Sequence, residues 1–469
     1  MSSVQAEDYN TQQLWQRDND HFLHPYTNFA KFAAEGSTIY TRGKDHFIYD
    51  SEGREYLDGI AGLWCVNIGH GRQEIANCMA EQCQRLAYYN TFEDASSPPA
   101  AELAAKLSEL SPGTLRHVFY GTGGSMANDT AIKIAHYYFN LLGKPNKKQI
   151  ISRDLAYHGS TYMAHALTGI RPGHIGFDLP TPLVHYLTAP YPYRRPEGMS
   201  VEQFADHLID ELEQKIIALG PDNVSCFIAE PILGAGGVIV PPAGYQKRTW
   251  EVCKKYEVLY ISDEVVTGFG RLGEMLTSEK LFGVQPDLLV LAKGISSGYI
   301  PLGATMLSDE IYSVISQPKP DNPYFSHGFT YSGHALACAV GLKNIEIMER
   351  EDLCGHVRQW GGYFQEQLQS LSDLPIVGEV RGSHYMQCLE YVTSQQSKQP
   401  FADDAAIGKR VALHAKNRGL IVRPIGSFNV LSPPLTFDQK AIDRAVTILR
   451  ESIEATMGDL RSEGFSHES

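Results

Sequence analysis

Three apolar runs of strand length, "SCFIAEP", "VLYISDEV" and "PDLLVLAKG", each end in one ionisable residue. These residues are Glu230, Asp263 and Lys293, spaced 33 and 30 positions apart. That period fits a strand, a crossover helix and the next parallel strand. Runs that are apolar throughout, rather than alternating, belong to a parallel sheet covered on both faces. Ligands of such sheets lie beyond the carboxyl ends of the strands. Glu230, Asp263 and Lys293 are therefore expected to converge on one crevice from three separate strands.

At 469 residues the chain is too long for one simple core, and two lobes with a terminal extension are expected. The first forty residues read as an irregular or helical arm, and "IYTRGKDHFIYDSEGREYLDG" as short strands around a turn at 50–53. From about 98 to 335, helical and short apolar segments alternate. After 335 come long helices and a few strands, among them a closing helix whose stripe is Ile442, Val446, Leu449 and Ile453. The expected class is α/β. The expected division is an arm with part of a small domain over 1–75, a large domain over 76–335, and a small α+β domain over 336–469.

The net charge of −14 argues against a nucleic-acid or anionic-membrane partner, whose binding needs a basic face. Eight scattered cysteines form no CxxC pair, so neither a metal site nor a disulfide framework is expected. The polar start lacks the apolar core of a signal peptide, and no apolar run approaches a membrane span. A cytoplasmic enzyme is the expectation.

A carboxylate and a lysine at neighbouring strand ends can be a plain buried ion pair. The segments around them favour chemistry. "FYGTGGSMANDTAIK" sets a glycine loop directly before a helix starting near Ser125. Exposed backbone N–H groups there, with a serine hydroxyl, make a phosphate cup, although an ordinary strand-to-helix turn has the same composition. The dinucleotide fingerprint fails because Met126 stands at its third glycine, and no GK[ST] is present for a triphosphate loop. A phosphate cup, an acid, a strand-end lysine and the Tyr157-His158 pair of "AYHGST" fit pyridoxal phosphate. Lys293 would give its amine to the aldehyde, Asp263 would keep the ring nitrogen protonated, and Tyr157 would offer a stacking face. Such a lysine must lose its proton, which a low-dielectric site beside a cationic ring favours.

The motifs "GGSMANDTAIK", "AYHGST", "FIAEPILGAGGVIVPPAGY", "SDEVVTGFGRLG", "PDLLVLAKGISSGYIPLGA" and "HGFTYSGH" occur in one order over roughly residues 20 to 455. In this the chain resembles the class III aminotransferases, pyridoxal-phosphate enzymes of fold type I. The resemblance implies Lys293 as the lysine joined to the cofactor and Asp263 as the partner of its ring nitrogen. It implies Gly124 and Ser125 at the phosphate, Tyr157 and His158 along the ring, Val265 on the opposite ring face and Glu230 in support. It also implies that Thr330 reaches the phosphate of a neighbouring subunit, hence a homodimer with shared active sites, or a tetramer of such dimers.

Arg423 in "LIVRPIG" stands where this family keeps a carboxylate-binding arginine, and a guanidinium fork matches a carboxylate bidentately. A salt bridge inside the small lobe is the competing reading. Relatives that use 2-oxoglutarate with ω-amino acids carry a latching glutamate where Ala235 stands, and tend to have glutamine at Val266. The segments "HPYTNF", "DGIAGLWCVNIGHG" and "YYNTFED" place Tyr26, Trp64 and Phe92 as walls of an apolar amine pocket, Phe92 from the partner subunit. Together these imply ping-pong transfer from a primary amine, diamine or ω-amino acid to pyruvate, giving an aldehyde or ketone and L-alanine. Putrescine, another diamine, β-alanine, taurine and aryl amines all remain open as donors. An aminomutase, racemase or phospholyase of the same fold is the alternative, followed by a non-catalytic ligand-binding relative and a nucleotide-binding protein. Met126, in place of the usual glutamate, and 383–385, in place of a glycine-rich turn, depart from the family pattern.

Overall fold

Asparagines open both helices of the amino-terminal arm in the computed structural model, which describes residues 9–317 and 324–464. The side chain of Asn10 accepts from the N–H of Gln13 ahead of helix Thr11–His21, and that of Asn28 from Lys31 ahead of Phe29–Glu35. The outermost residues of the expected terminal segments, 1–8 and 465–469, lie outside the described residues. Strands β1 (Tyr40–Lys44), β2 (Phe47–Asp50) and β3 (Glu55–Asp58) then form an antiparallel meander. Asp50 shapes its second turn by accepting from the N–H groups of Glu52 and Arg54.

The central sheet comprises β4 (Leu115–Gly121), β5 (Gln149–Arg153), β6 (Val184–Leu187), β7 (Val224–Ala229), β8 (Leu259–Asp263), β9 (Leu288–Leu291) and β10 (Gly303–Ser308). Its order is β4-β10-β9-β8-β7-β5-β6. The three apolar runs are the adjacent parallel strands β7, β8 and β9. Every residue in these three strands is buried, and each buried aliphatic side chain contributes about 1.5–3 kcal/mol. On one face the helix Gly124–Leu141 packs Ile134, Ala135 and Tyr138 with Ile228, Ile261 and Val290. On the other, Leu212 and Ile216 of helix Val201–Leu219 pack with Phe227 and Tyr260. Strand β10 is antiparallel to both neighbours. The glycine-rich stretch after Lys293 turns the chain back into it, a strand not apparent in the sequence.

Strands β11 (Val377–Ser383), β12 (Met386–Ser394), β13 (Gln399–Pro400), β14 (Leu420–Ile421), β15 (Arg423–Ile425) and β16 (Phe428–Leu431) follow. A second antiparallel sheet has the order β11-β12-β16-β15, with β13 on β12. Strand β14 instead pairs in parallel with β3, so chain from before 60 and after 420 shares one sheet. The closing helix Gln439–Ser462 buries the predicted stripe. The departure at 383–385 is a tight hairpin: Ser383 faces Met386, His384 is left-handed at φ 49°, and Tyr385 is buried with its hydroxyl donating to Phe437 O at 2.6 Å. Tyr385 thus ties the small-lobe sheet to the start of the last helix. Among the described residues no helix is long and apolar enough to cross a membrane.

Candidate active site

Asp263 ends β8 opposite Val290 of β9 and is buried. Its Oδ2 accepts from Asn128 Nδ2 and from His158 Nδ1, each at 2.8 Å, and its Oδ1 accepts from the Val265 N–H at 3.1 Å. A carboxylate can only accept, so His158 carries its hydrogen on Nδ1. Glu230, one residue past β7, is also buried and accepts from the N–H groups of Tyr157 (2.9 Å) and Gly234 (2.8 Å). Burial pushes its carboxyl above the usual range, the cationic form of His158 opposes this, and Asp263 adds to it.

Lys293 follows β9 with φ 49°, a left-handed conformation uncommon outside glycine. Burial pushes its ammonium below the ordinary lysine value, while Asp263, Cys65 and Glu230 pull the other way. Among the described residues its Nζ has no hydrogen-bond or ion-pair partner. The loop that holds this conformation is clamped from behind. Asn344 Nδ2 donates to Gly294 O (2.8 Å) and Ile295 O (3.0 Å), and its Oδ1 accepts from the Ser297 hydroxyl at 2.6 Å. Gly294 is required there: a Cβ would stand 2.5 Å from Asn67 Nδ2. Asn67 is itself fixed by Arg271, whose Nη2 donates to its Oδ1 at 2.6 Å.

The helix Gly124–Leu141 starts directly after the glycine loop with no side-chain cap, leaving its first N–H groups for an anion. Ser125 Oγ accepts from the Ser160 N–H at 3.0 Å, so its own hydrogen is free to point outward. Gly159 permits this approach; its φ is 133°, and a Cβ would lie 2.3 Å from Ser125 Oγ. Val265 packs against Gly124, where a Cβ would come within 3.0 Å of Val265 Cγ2. The cup and Asp263 therefore belong to one site.

Along the same rim, Ser160 Oγ contacts the hydroxyls of Tyr26 (3.0 Å) and Tyr157 (3.2 Å). Burial raises the Tyr157 phenol to about 12. Arg423, half-buried in β15, interacts electrostatically with both tyrosines, and burial lowers its proton affinity. It has no ion pair among the described residues, and its Nε is buried without a partner. Among the described residues, the internal salt bridge that the sequence left open is not formed. Trp64 is buried against Ile60, Ile232, Leu272 and Met386.

Phe92 and Thr330 lie elsewhere on this chain. Phe92 lines a groove of about 870 Å³ with Phe119, Tyr120, Phe325 and His327. Thr330 is exposed, its carbonyl accepting from the Tyr88 hydroxyl at 2.6 Å. Sequence reasoning did not single out Asn128, Ser160, Arg271 or Asn344. Asn128 had a signal, since it stands one helical turn after Ser125 and shares its face.

These residues fit pyridoxal phosphate. An uncapped helix start with a serine hydroxyl, a carboxylate oxygen with one long backbone bond and a lysine with no hydrogen-bond or ion-pair partner among the described residues stand close together. Among the described residues no group of histidine, cysteine and carboxylate side chains could hold a metal.

The family model for class III aminotransferases matches residues 30–453. A putrescine–pyruvate aminotransferase of Pseudomonas aeruginosa is 40% identical, over 94% of this chain and 96% of its own length. A diaminobutyrate–2-oxoglutarate transaminase of Halomonas elongata is also 40% identical, over 96% of this chain and 98% of its own. An (S)-enantioselective ω-transaminase from Thermomicrobium roseum superposes with a TM-score of 0.92 at 43% identity, covering 97% of this chain and all of the other. The ω-transaminase of Pseudomonas jessenii, solved with pyridoxamine phosphate, gives 0.93 at 39% identity over 96% and 99% of the two chains. The chain belongs to the class III aminotransferases, pyridoxal-phosphate-dependent transaminases of fold type I.

Proposed function

We propose that this enzyme moves the amino group of a primary amine, diamine or ω-amino acid to pyruvate in two half-reactions that share one pocket. The products are an aldehyde or ketone and L-alanine. The observation that supports this reading most is Arg423, half-buried at the rim with no ion pair among the described residues. No carboxylate stands at Ala235 to latch it. An unlatched guanidinium can close on the carboxylate of pyruvate and turn aside for a donor that has none. The relative that acts on putrescine with pyruvate and the ω-transaminase structures support the same reading.

Pyridoxal phosphate, when bound, supplies an aldehyde for the donor's amine and a cationic ring that withdraws electrons from the carbon losing its proton. In this reading the Gly124 and Ser125 N–H groups and the Ser125 hydroxyl hold the phosphate. Asp263 holds a proton at the ring nitrogen, with His158 bonded to its Oδ2. Val265 and Tyr157 bound the ring's faces, and Glu230 fixes the Tyr157 backbone. Lys293 Nζ, whose proton affinity burial lowers, would take the proton from the donor carbon and pass it to the cofactor carbon. Tyr26, Trp64 and Arg423 line the donor and acceptor side. The large domain over 76–335 then carries the cofactor contacts. The arm and small domain, 1–75 and 336–469, bring Tyr26, Trp64 and Arg423 to it.

A homodimer with shared active sites belongs to the same proposal, because Phe92 and Thr330 stand on the surface of their own chain. A cytoplasmic location suits eight cysteines that are all unpaired. Alanine formation from pyruvate, measured with a panel of alkyl, aryl and diamine donors, tests the reading. Alanine with several amines is expected, and isomerised or deaminated donor without alanine would overturn it.

A further inference from the structure

We propose that Asn128 is a positioning residue that selects Oδ1 of Asp263 as the oxygen meeting the cofactor's ring nitrogen. The inference rests on the reading of Asp263 as the ring-nitrogen partner. Asn128 is 1% exposed and directs its Nδ2 group at Asp263 Oδ2 (2.8 Å) and at the carbonyl of His158 (2.7 Å). Its own Oδ1 is buried with no partner. Leaving an amide oxygen unpaired is unfavourable, yet rotating the amide would set that oxygen against a carboxylate and a carbonyl, both acceptors. The neighbours therefore fix the amide, and donation is what the residue contributes.

With Asn128 and His158 both on Oδ2, that oxygen has its two lone-pair sites filled. Oδ1 carries only the Val265 N–H at 3.1 Å and keeps room for a ring N–H. Asn128 also stands one turn after Ser125 on the helix Gly124–Leu141. The phosphate contact and the ring-nitrogen contact are thereby referenced to a single rigid element. Without the Asn128 donor, Oδ2 regains a free lone-pair site and Asp263 loses the contact that aims Oδ1 at the ring nitrogen. The ring nitrogen is then less protonated, and the cofactor's linkage to the enzyme holds its own proton to higher pH.

The test is a visible pH titration of the cofactor-loaded enzyme for Asn128→Leu and Asn128→Asp, with Asp263→Asn and Thr130→Val alongside. Thr130 is buried on the same helix but bonds His327 instead. Both Asn128 variants are expected to retain borohydride-trappable cofactor and to raise the midpoint of the visible band by about half a pH unit or more. The shift should be larger for Asn128→Asp, and kcat should fall about tenfold with amine KM little changed. Thr130→Val should lower the melting temperature without moving the midpoint. A parental midpoint in the Asn128 variants, with a shifted one in Asp263→Asn, overturns this proposal alone. An unmoved midpoint in Asp263→Asn overturns the reading beneath it. Should Asn128→Leu fail to fold, the isosteric Asn128→Asp decides the matter by the same midpoint.

Discussion

His158 Nδ1 lies 2.8 Å from Asp263 Oδ2, and both side chains are buried. Asp263 ends β8 and His158 belongs to the "AYHGST" loop, so the pair ties that loop to the strand end beside helix Gly124–Leu141. A hydrogen bond of this kind fixes the orientation of the carboxylate. Asp263→Asn removes the charge and keeps the shape. It is expected to lower kcat at least about 100-fold, since a single preorganised electrostatic contact has that effect. Stopped-flow measurement of each half-reaction checks it, and a loss under threefold would contradict the role.

Arg423→Ala separates the two substrates. The KM for pyruvate should rise about 30-fold or more, the worth of hydrogen bonds to a charged group. The KM for an amine without a carboxylate should change less than about threefold, because uniform binding is lost only where the guanidinium touches. Initial rates over both substrate concentrations measure the split. Equal losses would argue that the arginine supports the lobe instead.

Gly159→Ala probes the cup. A methyl group would lie 2.3 Å from Ser125 Oγ at a φ of 133°, so either Ser125 or the "AYHGST" loop must move. Cofactor release, followed by the decay of visible absorbance on gel filtration, should speed up about tenfold or more, as expected for a displaced charge-assisted bond. Retention as in the parent would show that Ser125 does not hold the phosphate.

An acid-dependent stability term sits away from the site. Burial, with Lys148 adding to it, lowers the His136 imidazole from 6.5 to about 4. Between these two values the unfolded chain binds the proton and the native one does not, so stability falls as pH drops from about 6.5 to about 4. His136→Gln should flatten that part of the curve by up to about 3 kcal/mol, taking 1.36 kcal/mol for each pKa unit. Urea midpoints at pH 4.5 and 7.5 measure it, and an identical pH slope in the variant would contradict it.

The central strands were legible because burial on both faces demands continuous apolar runs, and β7, β8 and β9 satisfy that demand residue by residue. Glu230, Asp263 and Lys293 followed from topology, since parallel strands deliver their ends to one edge. Strand β10 was hidden because its glycine-rich lead-in has turn chemistry, while its pairing with β4 and β9 depends on distant chain. Asn344 and Arg271 were hidden for a related reason. They act on the Lys293 loop through contacts that span tens to hundreds of positions, and no local pattern records them. Arg423 was recognisable by type and place, but whether a carboxylate neutralises it is a property of packing alone.

Borohydride reduction of the yellow enzyme, followed by peptide mapping, addresses the central claim most directly. The account predicts that the visible band bleaches and that one reduced pyridoxyl group per chain is recovered on Lys293. Recovery on another lysine, or no covalent label from an enzyme that still makes alanine, would contradict it.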